Sequence, residues 1–294
     1  MACIEKIYSV SAVIGNGTCN GNCSFCSGRT LGRGRKDEVL HNTNMRNLEF
    51  AIKLSAKYGG WSLSLTSAGE PTCDPDAVTE ALTIYKKCAS AGAYFPNINI
   101  FTNGILFGDE KFCDKYLPIW KELGLTNVAI SIHHIDPCEQ AKVYGISHLD
   151  YAGFREIRNN IKKHGVGVRA TILLRKGAID GPREFENTLG WLFEYGYNNI
   201  TAWAVGNPDG SRNEFTPSRW NLYKIWRWLT QNGKLCHAHE WGGGVYDLKG
   251  KIVRLTDYVT KHDPKKDYVR QLVVLQDGGV YYSWIKDGAI CQLG

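Results

Sequence analysis

Cys19-Asn20-Gly21-Asn22-Cys23-Ser24-Phe25-Cys26 places three thiols within eight consecutive positions of a 294-residue chain. Thiolates are soft donors that suit iron–sulfur clusters or zinc. A closed structural zinc site wants a fourth protein ligand, commonly from a second paired knuckle. No further Cys-x-x-Cys pair follows downstream. Three thiolates on a four-iron cube leave one iron open to a ligand. Asn20, Gly21, Asn22 and Ser24 are small enough to let the loop wrap closely around such a group. Three buried or zinc-binding cysteines are the alternative reading.

Outward from this loop, short β-type runs alternate with longer amphipathic segments. The runs at 7–14, 61–65, 97–101, 127–133, 166–174 and 199–205 are rich in β-branched, aromatic or aliphatic residues. Asp74 before Pro75 signals a helix start, and Val78, Leu82, Tyr85 and Cys88 then share one face. Thr216-Pro217 repeats that signal ahead of an apolar stripe of Leu222, Ile225, Trp226 and Leu229. Helical periodicity at 45–58, 109–123, 149–164 and 182–195 completes the set, with Pro118 predicting a kink or an end inside 109–123.

Six strand–helix units predict a parallel sheet with right-handed crossovers, two units short of a closed eight-fold barrel. The expected fold class is therefore α/β, a partial (β/α)6 TIM-like barrel with a small C-terminal β-rich extension. Residues 1–241 form the expected core domain, and 242–294 the extension that covers the barrel. Gly242–Gly244 reads as a hinge-like run. Short strands are expected at 251–255, 271–274 and 280–284, the last two joined through Asp277-Gly278-Gly279.

Cys-x3-Cys-x2-Cys after a first strand, with the aromatic Phe25 before the last cysteine, resembles the signature of the radical S-adenosylmethionine (SAM) superfamily. Ser67-Ala68-Gly69-Glu70-Pro71-Thr72 resembles that family's Gly-Gly-Glu-Pro motif, with Ala68 in the first glycine position. The match runs in order over about residues 7–208. The resemblance implies one [4Fe–4S] cluster held by Cys19, Cys23 and Cys26, which are at once metal ligands and catalytic residues, with SAM at the open iron and Phe25 beside it. It implies that Ala68, Gly69, Glu70 and Pro71 meet the amino group of SAM. Asn103, in the turn after the third strand, is then expected to line the SAM site. Ser131 and His133 lie two apart on the fourth strand and face the same way, so they are expected to hold the ribose or carboxylate. One of Arg169 and Arg175 is expected to pair with the carboxylate through two parallel bonds. Residues 204–208 are expected to pack on adenine.

The implied chemistry is one-electron cleavage of SAM to a 5′-deoxyadenosyl radical that takes hydrogen from a substrate. An external one-electron reductant such as flavodoxin or ferredoxin is the implied partner. Substrates are expected to enter where the loops converge at the strand C-termini.

Hydrophobic residues at 43% and charged residues at 22% indicate a globular chain with a sizeable core. No apolar run approaches the roughly 18 residues of a membrane span. Residues 1–6 carry no basic segment followed by an apolar one. The expectation is a cytoplasmic protein without a membrane partner. Ten cysteines in that setting read as metal ligands and core residues, not a disulfide framework. Cys88 and Cys113 lie on apolar helix faces, where cysteine behaves as a small hydrophobe. Cys236-His237-Ala238-His239 is a weaker metal candidate. The tail faintly resembles the start of an auxiliary-cluster extension, but Ser283 and Trp284 stand where a ligand would be, so a single cluster is expected.

The net charge of +6 permits an anionic substrate without demonstrating nucleic-acid binding. Arg29, Arg33, Arg35 and Lys36 concentrate positive charge after the cluster loop, read either as polyanion recognition or as a solvated loop. Trp203, Trp220, Trp226, Trp228 and Trp241 read as base- or peptide-stacking residues or as core. Three functions stand open: a radical SAM enzyme acting on a small molecule, nucleotide or nucleic acid; one acting on a peptide or protein, glycyl-radical activation included; and a non-catalytic zinc- or cluster-binding module.

Overall fold

The computed structural model describes residues 4–29, 45–256, 263–284 and 289–291. Strands and helices alternate as the periodicity predicts. β1 (Lys6–Ile7) and β2 (Ser9–Val13) precede the cysteine loop. After it come α1 (Leu48–Lys57), β3 (Ser62–Thr66), α2 (Pro75–Ser90), β4 (Asn97–Thr102), α3 (Glu110–Glu122) and β5 (Asn127–Ile132). Then follow α4 (Pro137–Tyr144), α5 (Phe154–Lys163), β6 (Gly167–Leu174), α6 (Pro182–Glu194), β7 (Asn199–Ala204) and α7 (Arg219–Asn232). The C-terminal part adds β8 (Lys234–Ala238), β9 (Gly244–Leu248), β10 (Lys251–Leu255), β11 (Tyr268–Val269), β12 (Leu272–Val274) and β13 (Val280–Tyr281).

Eleven strands form one sheet in the order β13-β12-β2-β3-β4-β5-β6-β7-β10-β9-β8. Every pairing from β12 through β2–β7 to β10 is parallel, while β13, β9 and β8 are antiparallel. The tail therefore enters the sheet at both edges. The 241/242 division lies in the turn between β8 and β9, where Gly242 and Gly243 take φ of 96° and 78° that other residues rarely adopt. The run read as a hinge is this turn.

Period-two alternation decides what each strand presents. Val10, Leu63, Ile98, Val128, Ile130, Ala170, Ile172 and Ile200 point at the helices and form the buried core. Ser9, Ser11, Ser62, Ser64, Phe101, Ser131, Leu173 and Trp203 point the other way and line a lumen.

Three local readings need correction. α3 continues through Pro118, because that residue sits on the exposed side, where solvent can satisfy the carbonyl it leaves open. α7 is capped by Ser218, whose Oγ accepts from Asn221 N–H at 3.0 Å; Thr216 Oγ1 instead accepts from Asn213 N–H at 2.9 Å. Its buried stripe is Ile225 and Leu229, and Trp226 is 42% exposed. One helix went unread. α4 begins with the same Asp-Pro signal that identified α2: Asp136 Oδ1 accepts from Cys138 N–H at 2.7 Å and Glu139 N–H at 3.3 Å.

Candidate active site

The cysteine loop is pinned from three sides. Asn22 N–H donates to Tyr144 O at 2.6 Å, at the end of α4. Asn103 Nδ2 donates to Asn20 Oδ1 at 2.7 Å, tying the loop to the end of β4. The third side is the loop after β3, where Glu70 N–H donates to Thr18 O at 2.9 Å. A Cβ at Gly69 would lie 2.2 Å from the backbone oxygens of Gly17 and Thr18, and one at Gly28 would lie 1.9 Å from Ala68 O. Only glycine lets these two loops touch.

Ala68, the departure from the family's glycine, is fully buried and packs with Val13, Val273, Leu275 and Tyr281. Its methyl group fills a core that the C-terminal strands create. Glu70 is buried as well. Its Oε1 accepts from Thr72 N–H (3.1 Å), Thr72 Oγ1 (2.7 Å) and Thr102 Oγ1 (2.7 Å), and its Oε2 from Asn103 N–H (2.7 Å). Burial raises its pKa while these four donors oppose the rise. Glu70 thus staples the β3 and β4 ends together as well as lining the cavity. Pro71 is buried behind it, off the cavity wall.

Cys19, Cys23 and Cys26 line one cavity of about 380 Å³ together with Phe25, Ala68, Gly69, Glu70, Asn103, Ser131 and His133. His133 is 3% exposed, and burial together with the Arg175 charge lowers its pKa to about 3. It is a neutral imidazole, with Nδ1 enclosed and without a hydrogen-bond partner among the described residues. Gln140, fully buried on α4, accepts from His133 N–H and His134 N–H at 2.9 Å and donates to Ser131 O at 3.1 Å. Tyr144 Oη donates to the same oxygen at 2.9 Å. Gln140 and Tyr144 escaped the sequence reading along with α4.

The two candidate arginines stand apart. Arg175 lies with its guanidinium 5.1 Å from the Phe25 ring centroid, and burial lowers its pKa against the opposing influence of Cys23. Arg169 is six residues earlier on β6, roughly 20 Å along a strand, and its electrostatic neighbour is Arg254. The structure brings Arg175, not Arg169, to the cysteine loop.

Other candidates separate from this site. Cys236 and His237 are exposed on β8, while His239 stacks on Trp241. Trp203 and Trp241 line the cavity, whereas Trp220 lies exposed on α7 and Trp228 packs on Phe185. Val205 and Gly206 also line the cavity. Arg33, Arg35 and Lys36 lie outside the described residues.

The donor set suits an iron–sulfur cube. The nine described cysteines form no disulfide. Gly21 N–H points at Cys19 Sγ at 3.4 Å, a contact that favours a thiolate. Among the described residues no three His, Cys, Asp or Glu side chains converge on the volume of one ion.

The model of the radical SAM superfamily matches residues 13–201, well over half of the chain, and the chain belongs to that superfamily. No curated protein sequence matches it. Among solved structures, Streptococcus suis SuiB bound to S-adenosylmethionine is similar at 11% identity and a TM-score of 0.61, over 98% of this chain and 63% of that one. SuiB bound to its precursor peptide SuiA is similar at 10% identity with the same TM-score, over 98% and 62%. Native anSMEcpe with bound AdoMet gives 15% identity and 0.54 over 76% and 59%, and methylornithine synthase PylB gives 17% and 0.50 over 77% and 63%. At these identities the likeness is one of fold. The chain spans about three fifths of the length of these structures.

Proposed function

We propose that this enzyme holds one [4Fe–4S] cluster on Cys19, Cys23 and Cys26 and uses it with SAM to begin radical chemistry on a substrate in the lumen, a small molecule, nucleotide or nucleic acid. Six strand–helix units, β2 through α7, are read as the (β/α)6 core. Residues 1–241 are read as the core domain and 242–294 as a flanking extension. The carrying observation is the convergence of the three thiols, the Gly69–Glu70 loop and the polar β5 end on a single cavity. When bound, cluster and SAM supply a one-electron source and a hydrogen-abstracting 5′-deoxyadenosyl radical.

The chain's own residues do the positioning. Gly21 N–H and the Arg175 charge favour thiolates at Cys19 and Cys23. The Phe25 ring lines the cavity, flanked by His133 at 5.0 Å and Phe215 at 5.7 Å. Ala68, Gly69 and Glu70 form the turn that faces the SAM amino group, with Pro71 packed behind them, and Asn103 borders it. His133, held neutral, offers Nδ1 to a hydroxyl or carboxylate, with Ser131 beside it. Arg175 is the better placed of the two arginines for the SAM carboxylate. A flavodoxin or ferredoxin is the natural electron donor, and a reducing cytoplasm the natural setting. Among the described residues no helix is long and apolar enough to cross a membrane.

A peptide substrate is the second reading, favoured by the likeness to SuiB, which covers the C-terminal strands as well as the core and whose structure holds a precursor peptide. Anaerobic reconstitution with iron and sulfide, followed by electron paramagnetic resonance of the reduced protein, tests the main reading. A cluster signal that changes shape when SAM is added supports it. A signal indifferent to saturating SAM contradicts it.

A further inference from the structure

The lumen changes character below the SAM end. Register sets Thr171 beside Thr201 and Thr201 beside Arg254, one level beneath the Leu173–Trp203 pair that lines the cavity. Arg169 lies on the same face of β6, two residues further down. Arg270 lines the cavity itself, donating Nη2 to Thr256 Oγ1 at 3.4 Å, with its guanidinium 5.3 Å from the Trp241 ring centroid. His239 stacks on Trp241 at 4.8 Å and 9°. Trp241 in turn meets Tyr8 at 5.0 Å and Tyr268 at 6.3 Å.

Three arginines thus share this region; Arg254 donates Nη1 to Asn199 Oδ1, and among the described residues no acid pairs with Arg169 or Arg254. Glu70, the one acid among the described residues lining the cavity, is held by Thr72, Thr102 and Asn103 at the far end. Glu240, next to Trp241 in sequence, pairs with Lys6 at 3.7 Å. Burial and the Arg254 charge bring the Arg169 pKa down to about 10. Burial, His237, Arg270 and Arg254 bring that of His239 down to about 4. Arg169 Nε, Thr171 Oγ1, Thr201 Oγ1, His239 Nδ1 and Trp241 Nε1 are enclosed without a hydrogen-bond partner among the described residues. Native proteins leave few such atoms, and each one costs stability. Like charges that are buried together add to the cost. A ligand carrying oxygen acceptors and negative charge removes both penalties at once.

We propose that the lower lumen is an oxyanion-binding chamber, in which Arg169 and Arg254, with Arg270 at the mouth, take a phosphate or carboxylate group of the substrate while Tyr8, Trp241 and Tyr268 flank the part that carries it. This rests on the reading above that SAM occupies the cysteine end. The substrate is then an anionic molecule, anchored at one end of the lumen with its reacting carbon directed toward the other.

Orthophosphate, pyrophosphate and acetate, each titrated into the reconstituted protein at constant ionic strength, are the probes, followed by tryptophan fluorescence. Saturable binding of a phosphate probe assigns phosphate, and saturable binding of acetate alone assigns carboxylate. Arg169→Met and Arg254→Met are each expected to weaken that binding tenfold or more, with Arg169→Lys falling between. Without anion, Arg169→Met is expected to melt about 2 °C above the wild type, since an uncompensated charge is gone. Absence of saturable binding, wild-type affinity in both methionine variants, or a lowered melting temperature in both overturns the proposal. Equilibrium dialysis of labelled SAM keeps the two readings apart. Loss of SAM binding by the wild type sinks the radical SAM site assignment, whereas normal SAM binding with no anion binding sinks the chamber alone.

Discussion

Glu70 and His133 show how one side chain can serve both the fold and the site. Glu70 accepts four hydrogen bonds in a buried position, so Glu70→Ala strands donors from Thr72, Thr102 and Asn103 at once. The expected loss is about 3 kcal/mol, read from urea unfolding with an unchanged m-value. A loss confined to SAM affinity, with stability intact, would make Glu70 a ligand contact only. His133 has its folded pKa depressed to about 3 from the ordinary 6.5. Between those values the unfolded chain binds the extra proton. The stability His133 allows is therefore complete above about pH 6.5 and is lost as pH falls, by about 1.4 kcal/mol per pH unit. His133→Gln removes that slope, so the stability difference between wild type and variant should shift toward the variant from pH 7 to pH 5. Parallel pH profiles for the two proteins would contradict the burial of a neutral imidazole.

At the scale of elements, the cysteine loop and the loop after β3 work as one unit because Gly69 and Gly28 let their backbones meet. Gly69→Ala forces a Cβ to within 2.2 Å of two backbone oxygens, and backbone cannot step aside cheaply. Iron retention after reconstitution and SAM affinity should fall together, by tenfold or more in affinity; wild-type values for both would show that the loops are independent. Gly190 is the opposite case. It lies exposed within α6, with nothing within 4 Å of an added Cβ. Gly190→Ala should stabilise by about 0.5–1 kcal/mol, measured by the same urea titration, with SAM binding unchanged. α4 belongs at this scale too, since Gln140 and Tyr144 fix both the β5 end and the cysteine loop.

Across the whole molecule, the parts legible in sequence were those encoded within a few residues of one another. The thiol trio, the strand runs and the Asp74-Pro75 start each sit in a short window; the structure follows the strands and the helix start closely and sets the three thiols on one cavity. α4 carried a readable start at Asp136-Pro137, but its eight residues are too short for a clear apolar period. β8 offered no pattern because all five of its residues are exposed. Ala68 looked like a weakened glycine until the distant Val273, Leu275 and Tyr281 closed over it. Arg169, His239, Arg254 and Arg270 are spread over a hundred residues and become a group only when β10 joins β7 and Trp241 reaches Tyr8. That same long-range closure gives the lumen its two unlike ends, thiols above and arginines below. The most direct test acts on the upper end. Cys19, Cys23 and Cys26 are replaced together by alanine, the protein is reconstituted anaerobically, and iron and 5′-deoxyadenosine are measured after adding reductant and SAM. The account predicts about four irons per wild-type chain with release of deoxyadenosine, and neither in the variant; a variant that keeps its iron and still cleaves SAM contradicts it.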